Sequence, residues 1–461
     1  MIMQDLKQLF LLMIKKKITY FLLIFFLLSN CSFDDKTGIW SGSEDELKKI
    51  SEIEKQQKEI IDVVKVFSSD NLLLKEITLN RSIVLSDPIK NSEWVMTGLN
   101  NKNFLTNIYL PKADNILLKK KVGKNKFSIA KNVTSVIIYK KNIILSDDVG
   151  TIYSLNEFGK INWKKNIYQK VYKKIYKSLT FNIYNNNIYI ADNIGLIYVL
   201  DFDTGKLIWI KNHGVSFKSN IKIFKNKIYL INQDNRIICL TTENGSKIWD
   251  IRTIESFIKS QNPLSIAISD EGDIIAITSS GDLFRASGKS GVVKWSMNTS
   301  ETMLANATDF FKSTDVVIDN ERIFFSSGTT LFSFNTKDGH INWEKSVSSV
   351  SAPIIDKKNI FFVTENGFFI IMDKDKGEII SSTNIFKVLK KKRRDTKITG
   401  FLMGSGKIYA VTENGYLIIS SAVSGKVEGF KKIGDKILTK PIINDGKLYI
   451  LTENSKLIVF N

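Results

Sequence analysis

Asp201-Phe-Asp-Thr-Gly-Lys-Leu-Ile-Trp209 is the stretch that decides the fold, because close variants of it recur along the chain. Ahead of it Leu196 to Leu200 alternates as a strand does. Asp203 to Gly205 has turn chemistry, with Gly205 free to take positive φ, and Lys206 to Trp209 opens a second strand. The unit is a hairpin that ends in a tryptophan.

The same spacing appears at Gly159 to Trp163, Gly245 to Trp249, Gly291 to Trp295 and Gly339 to Trp343. Gly377-Glu-Ile-Ile-Ser381 and Gly425-Lys-Val-Glu-Gly429 keep the glycine and lose the tryptophan. Successive glycines lie 46, 40, 46, 48, 38 and 48 residues apart, a period typical of solenoids and propellers. Between them lie short alternating strands joined by tight turns such as Asp192-Asn-Ile-Gly195 and Thr412-Glu-Asn-Gly415. Helical repeats would need apolar steps of three and four residues.

Four antiparallel strands per period predict an all-β fold, a β-propeller that protects its edges by radial repetition. Seven units carry the glycine, and Lys440 to Ile443, Lys447 to Leu451 and Leu457 to Phe460 give three more strands. Asn115 to Val122 can supply the missing fourth, so eight blades are expected. The tryptophans are expected to be fully buried, at about 2–3 kcal/mol each. The blades ending at Ser381 and Gly429 should open more readily.

Hydrophobic residues are 43% of the chain, so the core is not limiting. The net charge of +19 points either to solvated loops or to an anionic surface or acidic partner, since the lysines are scattered through turns. Five consecutive cations, Lys390, Lys391, Lys392, Arg393 and Arg394, give either a solvated loop or a basic surface that lipid head groups or an acidic partner could meet. The two cysteines, Cys31 and Cys239, make no disulfide framework, and Cys239 sits in a strand as a small hydrophobe.

Lys15 to Lys17 followed by the apolar run Ile18 to Leu28 has the form of a secretory signal. Leu28-Ser-Asn-Cys31 resembles a bacterial lipobox, in which Cys31 becomes the lipidated first residue; an uncleaved anchor is the alternative. Either version carries the rest of the chain outside the cytoplasm, which argues against nucleic acid as a partner. Ser32 in the next position points, by the same resemblance, to the outer membrane. Ser43 to Glu46 reads as a capping box, and Leu47, Ile50, Ile53, Ile60, Ile61, Val64 and Phe67 give an amphipathic helix over about 44–67. The expected organisation is a lipoprotein signal peptide over 1–30, a linker with that helix over 31–92, and an eight-bladed propeller over 93–461 whose N- and C-terminal strands share one blade.

The glycine-to-tryptophan anchor and the Asp-x-x-Thr-Gly-type turn before it resemble PQQ-like, quinoprotein-type repeats. Two families matter: the PQQ-dependent dehydrogenases, and BamB, the lipoprotein subunit of the outer-membrane β-barrel assembly machine. Glu93-Trp94, Gly98 and Asn100-Asn101 are similar to the first segment of BamB-like propellers. The dehydrogenases bind PQQ over calcium, and many carry adjacent cysteines at the cofactor, which this chain lacks. His213 and His340, the only histidines, sit beside turn glycines, and Asp201, Asp203 and Asp338 are ordinary turn aspartates. No catalytic residue, cofactor site or metal site is expected.

The BamB resemblance implies a scaffold on the periplasmic face of the outer membrane, binding the POTRA domains of a BamA-like barrel subunit, other subunits of the machine and unfolded outer-membrane proteins. In that family the loop after the third tryptophan carries a Leu-Arg pair for the POTRA domains. Here that loop follows Trp249, and Ile258-Lys259, with Phe257 beside it, best matches the pair; the alternative is that Phe257 and Ile258 fold back on their own blade. A periplasmic propeller with another partner, or a dehydrogenase-like propeller, would share the other features.

Overall fold

The computed structural model describes residues 32–33, 40–41, 75–127, 134–253, 263–299 and 313–461. Cys31, Phe257, Ile258, Lys259 and the 44–67 segment lie outside the described residues. The chain forms two compact units, 1–71 and 72–461. Of the first, the described part is an antiparallel pair, Ser32–Phe33 with Trp40–Ser41.

In the second unit eight four-stranded antiparallel sheets follow one another. Blades 1 to 7 occupy residues 137–165, 179–212, 222–251, 265–298, 317–345, 354–384 and 398–432, each running from its innermost to its outermost strand. Blade 8 takes Ile442–Asn444, Lys447–Leu451 and Lys456–Phe460 from the C-terminal end and Ile116–Lys121 from far upstream as its outermost strand. The ring is therefore closed by pairing Ile116 with Phe460, near the two ends of the propeller sequence. The inner three strands are almost wholly apolar and buried, because both their faces meet neighbouring blades.

The recurrent hairpin has a mechanical role. In blade 2, Val199 pairs with Trp209 but Leu200 with Leu207, so Ile208 is an extra residue, and the same shift recurs in blades 1 and 3 to 7. The bulge turns the outermost strand so that the tryptophan faces the next blade. There the indole N–H donates to a carbonyl: Trp163 to Phe202 at 3.0 Å, Trp209 to Thr242 at 3.1 Å, Trp295 to Thr336 at 3.0 Å and Trp343 to Lys374 at 3.0 Å. The ring also lies against the next turn glycine. A Cβ on Gly205, at φ +67°, would stand 2.6 Å from the Trp163 ring. Gly205→Ala is expected to cost about 1–3 kcal/mol through backbone strain and this clash, read as a lower denaturant midpoint at unchanged slope.

Full burial of the tryptophans is corrected. Trp343 is buried, but Trp163, Trp209, Trp249 and Trp295 are half-buried, because an outermost strand has a blade on one side only. The blade that ends at Ser381 is reinforced by the chain itself. Ile77 and Ser382 exchange two backbone hydrogen bonds of 2.9 Å, Arg81 pairs with Asp373 at 2.7 Å, and Ile83 is buried in the core of blades 5 to 7. Residues 75–89 thus form a strap over blade 6.

From the strap the chain enters the central channel and circles it. The innermost strand of each blade turns one edge of N–H and C=O groups toward the axis, and these need partners. Residues 91–108 supply them. Trp94 pairs with Ile138 of blade 1, Ile183 of blade 2 donates to Val95, and Asn101 donates through its side chain to Ile223 of blade 3. Ile268, Ile318 and Ile355 of blades 4, 5 and 6 donate to Asn101, Lys102 and Leu105, and Ile108 donates to Met403 of blade 7. Asn91 reaches Ile443 of blade 8 at 3.2 Å. This lace touches every blade.

Candidate functional site

The axial channel is where a propeller of this repeat type could hold a cofactor, and here the lace fills it. Asn103, almost fully buried, donates to the carbonyls of Ile266 and Val316 at 3.1 and 2.9 Å. Its Oδ1 accepts from Lys222 at 2.6 Å, and the same ammonium donates to the carbonyls of Asn100 at 2.7 Å and Thr97 at 3.3 Å. Lys222, between Ile221 and Ile223 on the innermost strand of blade 3, has no exposed surface. A second pair stands behind it: Lys440 binds Asp315 at 2.6 Å. Gly98 is required by this arrangement, since a Cβ there would meet Asn103 Oδ1 at 2.4 Å, and its φ is +82°.

Burial pushes the Lys222 ammonium down to about 7; Asp315 opposes that shift and Lys440 adds to it. Burial acts to raise the Asp315 carboxyl, but Lys440 and Lys222 outweigh it and hold it below the usual range. Between the lace and these residues a cavity of about 30 Å³ remains, lined by Trp94, Thr97, Leu105, Asp315 and Lys440 among others. Such a space takes a water molecule or two, whereas cofactor pockets run to about 300 Å³ or more. A quinone over calcium does not fit: the carboxylate is already neutralised, and two ammonium groups would repel the ion. Among the described residues no cluster of three His, Cys, Asp or Glu side chains could hold a metal.

That leaves the faces of the ring. Antiparallel order puts every link between blades on one face, called here the upper, together with the turns joining second and third strands. The link after Trp249 belongs to it. Its described stems are pinned, with Thr253 Oγ1 donating to Asn235 at 2.8 Å and the Leu264 N–H to Lys218 at 2.9 Å. The basic link between blades 6 and 7 lies on the same face, three steps round the ring. Ile385, Phe386 and Leu389 anchor it in the core, and Lys390, Lys391, Arg393 and Arg394 are exposed. Arg394 folds back onto the carbonyls of Leu389 and Lys387 at 3.0 and 3.2 Å, and Arg393 lies 6.0 Å above the Tyr416 ring. His213 packs edge-on against Phe217, and the His340 N–H closes a turn onto Asp338. Cys239 is fully buried, and burial pushes its thiol up to about 12.

Sequence reading missed Lys222, Asn103, Asp315 and Lys440 as a group. The available signal was a lysine in the apolar strand Ile221-Lys-Ile-Phe224, facing inward by alternation.

Fold and channel define a class: an eight-bladed quinoprotein-type propeller whose axis is occupied by its own chain. Residues 148–383 match the family model described as outer membrane protein assembly factor BamB, and the chain belongs to that family. Outer membrane protein assembly factor BamB of Moranella endobia (strain PCIT) is 21% identical over 272 residues, covering 54% of this chain and 65% of the relative. The Yersinia pestis protein of the same name is 21% identical over 238 residues, covering 46% and 56%. The chain thus spans less than two thirds of the length of the curated relatives it matches. The crystal structure of BamB from Moraxella catarrhalis superposes with a TM-score of 0.62 at 13% identity, covering 75% of this chain and 99% of that one. Quinohemoprotein alcohol dehydrogenase from Comamonas testosteroni gives 0.60 at 10% identity, covering 78% and 76%. Likenesses this distant speak for the fold alone.

Proposed function

We propose that the protein is a non-catalytic scaffold of the outer-membrane β-barrel assembly machine. It would be anchored through a lipidated Cys31 at the periplasmic face, with a signal peptide over 1–30 and the propeller domain from 93 onward. Its partners are the POTRA domains of a BamA-like subunit, other subunits of the machine and unfolded barrel proteins. The observation that carries this reading is the laced channel, where the chain itself leaves only about 30 Å³; family membership supports the same reading. The POTRA contact is assigned to Phe257, Ile258 and Lys259 in the link after Trp249, a short apolar anchor beside a cation, as binding hot spots are built.

Capture of the tagged full chain from detergent-solubilised envelopes, beside an Ile258→Ala/Lys259→Ala variant, tests it. A POTRA-bearing barrel protein is expected with the unaltered chain and reduced by about tenfold or more with the variant. Recovery of no such protein with either form, while both are folded, would sink the scaffold reading. Equal recovery would move the contact elsewhere.

A further inference from the structure

The cations of the upper face are not spread evenly. Of four consecutive links, 6/7, 8/1 and 1/2 carry a basic arc that includes Lys390, Lys391, Lys124, Lys126, Lys170 and Lys174, all exposed, while the 7/8 link among them holds Lys436 and Lys440, both paired with carboxylates. The other four links, in their described parts, hold Lys218 and Arg252 as their only lysine and arginine. Among the described residues none of those six lysines has a carboxylate within ion-pair distance, whereas Lys387, Lys397 and Lys436 at the rim of the arc are paired with Glu76, Glu365 and Glu413.

Both ends of the arc are pre-formed in the same way. At the 6/7 end Arg394 turns back onto the carbonyls of Lys387 and Leu389, at the end of the preceding 3-10 turn. At the 1/2 end the short 3-10 helix Lys170–Lys174 is held by Lys177, which is almost fully buried. The Lys177 ammonium donates to the Tyr172 and Ile175 carbonyls and lies 4.8 Å over the Tyr168 ring. In each of these two links one cation is spent internally on backbone carbonyls, while Lys170, Lys174, Lys390 and Lys391 stay exposed. Beside Lys170 and Lys174 stand Val171, 71% exposed, and Ile175, 44% exposed. Basic and apolar side chains interleaved on a rigid turn suit the boundary between head groups and acyl chains.

We propose that this arc docks on an anionic phospholipid surface. An arc spread over half the ring meets a flat sheet of phosphates at its three basic links together, whereas one small acidic domain would engage one or two. The chain enters the ring next to it: Ile77 pairs with blade 6, and Glu76 is bonded to Lys387 at the edge of the 6/7 link. The propeller's N-terminal end thus lies at the edge of the 6/7 link, and a lipid anchor further upstream would keep the arc at high effective concentration near lipid. The proposal rests on the lipid-anchor reading to that extent.

The test reconstitutes the full lipidated chain with vesicles of phosphatidylcholine alone, or with about 30% phosphatidylglycerol, and follows lysine acetylation by mass spectrometry. Lys170, Lys174, Lys390 and Lys391 are expected to label about fivefold more slowly on the anionic vesicles, with the protection lost at about 0.5 M salt. Lys337 and Lys357, in turns of the opposite face, should label equally on both. A Lys170→Glu/Lys174→Glu variant, altered only at exposed positions, should lose protection at Lys390 and Lys391 too. Equal labelling on both vesicles overturns the proposal, as does protection that needs an added protein subunit on either lipid. Flotation with the neutral vesicles reads the anchor separately: its failure, with arc protection intact on anionic vesicles, would sink the anchor and keep the arc.

Discussion

Replacing Lys222 by Met is expected to lower the unfolding free energy by about 3 kcal/mol, although no surface residue changes and no partner site is touched. The substitution removes the donor shared by Thr97, Asn100 and Asn103; of these acceptors Asn103 Oδ1 is fully buried, and Thr97 borders a cavity of only about 30 Å³. Buried acceptors left without a donor cost about 1–3 kcal/mol each, partly offset here because the desolvated ammonium is gone too. Denaturant titration reads the loss as a lower midpoint. The pH dependence gives an independent check. The ammonium of Lys222 titrates near 7 in the folded chain and in the ordinary lysine range when unfolded, so between those values the unfolded state binds the extra proton. Stability from this group therefore rises as pH goes from 7 toward 10. The difference in stability between the parent and Lys222→Met should change across that interval and be flat below it; a constant difference would contradict the assignment.

Trp94→Ala is expected to cost about 3–5 kcal/mol, as truncation of a buried aromatic does. Trp94 is nearly fully buried, and its backbone exchanges hydrogen bonds of 2.7 and 2.8 Å with Ile138. It belongs to the same buried cluster as Leu145, Tyr409 and Ile442, which draws on blades 1, 7 and 8. The loss should be local first. Amide exchange is expected to speed up over 94–105 and at Ile183, Ile268 and Ile318, whose N–H groups depend on the lace, while the hairpins around Trp209 and Trp249 keep their protection. Uniform acceleration in all blades would show that the lace and the ring open as one unit.

The contrast between hairpins and lace also explains what the sequence disclosed. Gly205 and Trp209 are four residues apart and repeat, so local turn chemistry and period alone led to eight blades. The lace is held by single hydrogen bonds between one residue and one distant strand, as with Lys102 and Ile318, and such pairing leaves no periodic trace. Gly98 and Asn101 were visible only through resemblance; the geometric need for Gly98 appears once Asn103 is seen beneath it. Exposure of the tryptophans was misjudged because a period does not tell which strand of a blade is outermost. The loop bearing Phe257, Ile258 and Lys259 was found by position after Trp249, and capture, not packing, will decide its role.

The lace also sets an order of events. Residues 91–108 leave the ribosome ahead of every blade they bind, and those strands extend as far as Ile443. Until the last of them has emerged, the lace cannot complete its circuit, and the outermost strand of blade 8, Ile116–Lys121, lacks its partner in Lys456–Phe460. The contact order is high, so slow final assembly is expected. The segment made first is locked last, and through that interval a chain held at its N-terminal end would expose a half-built ring.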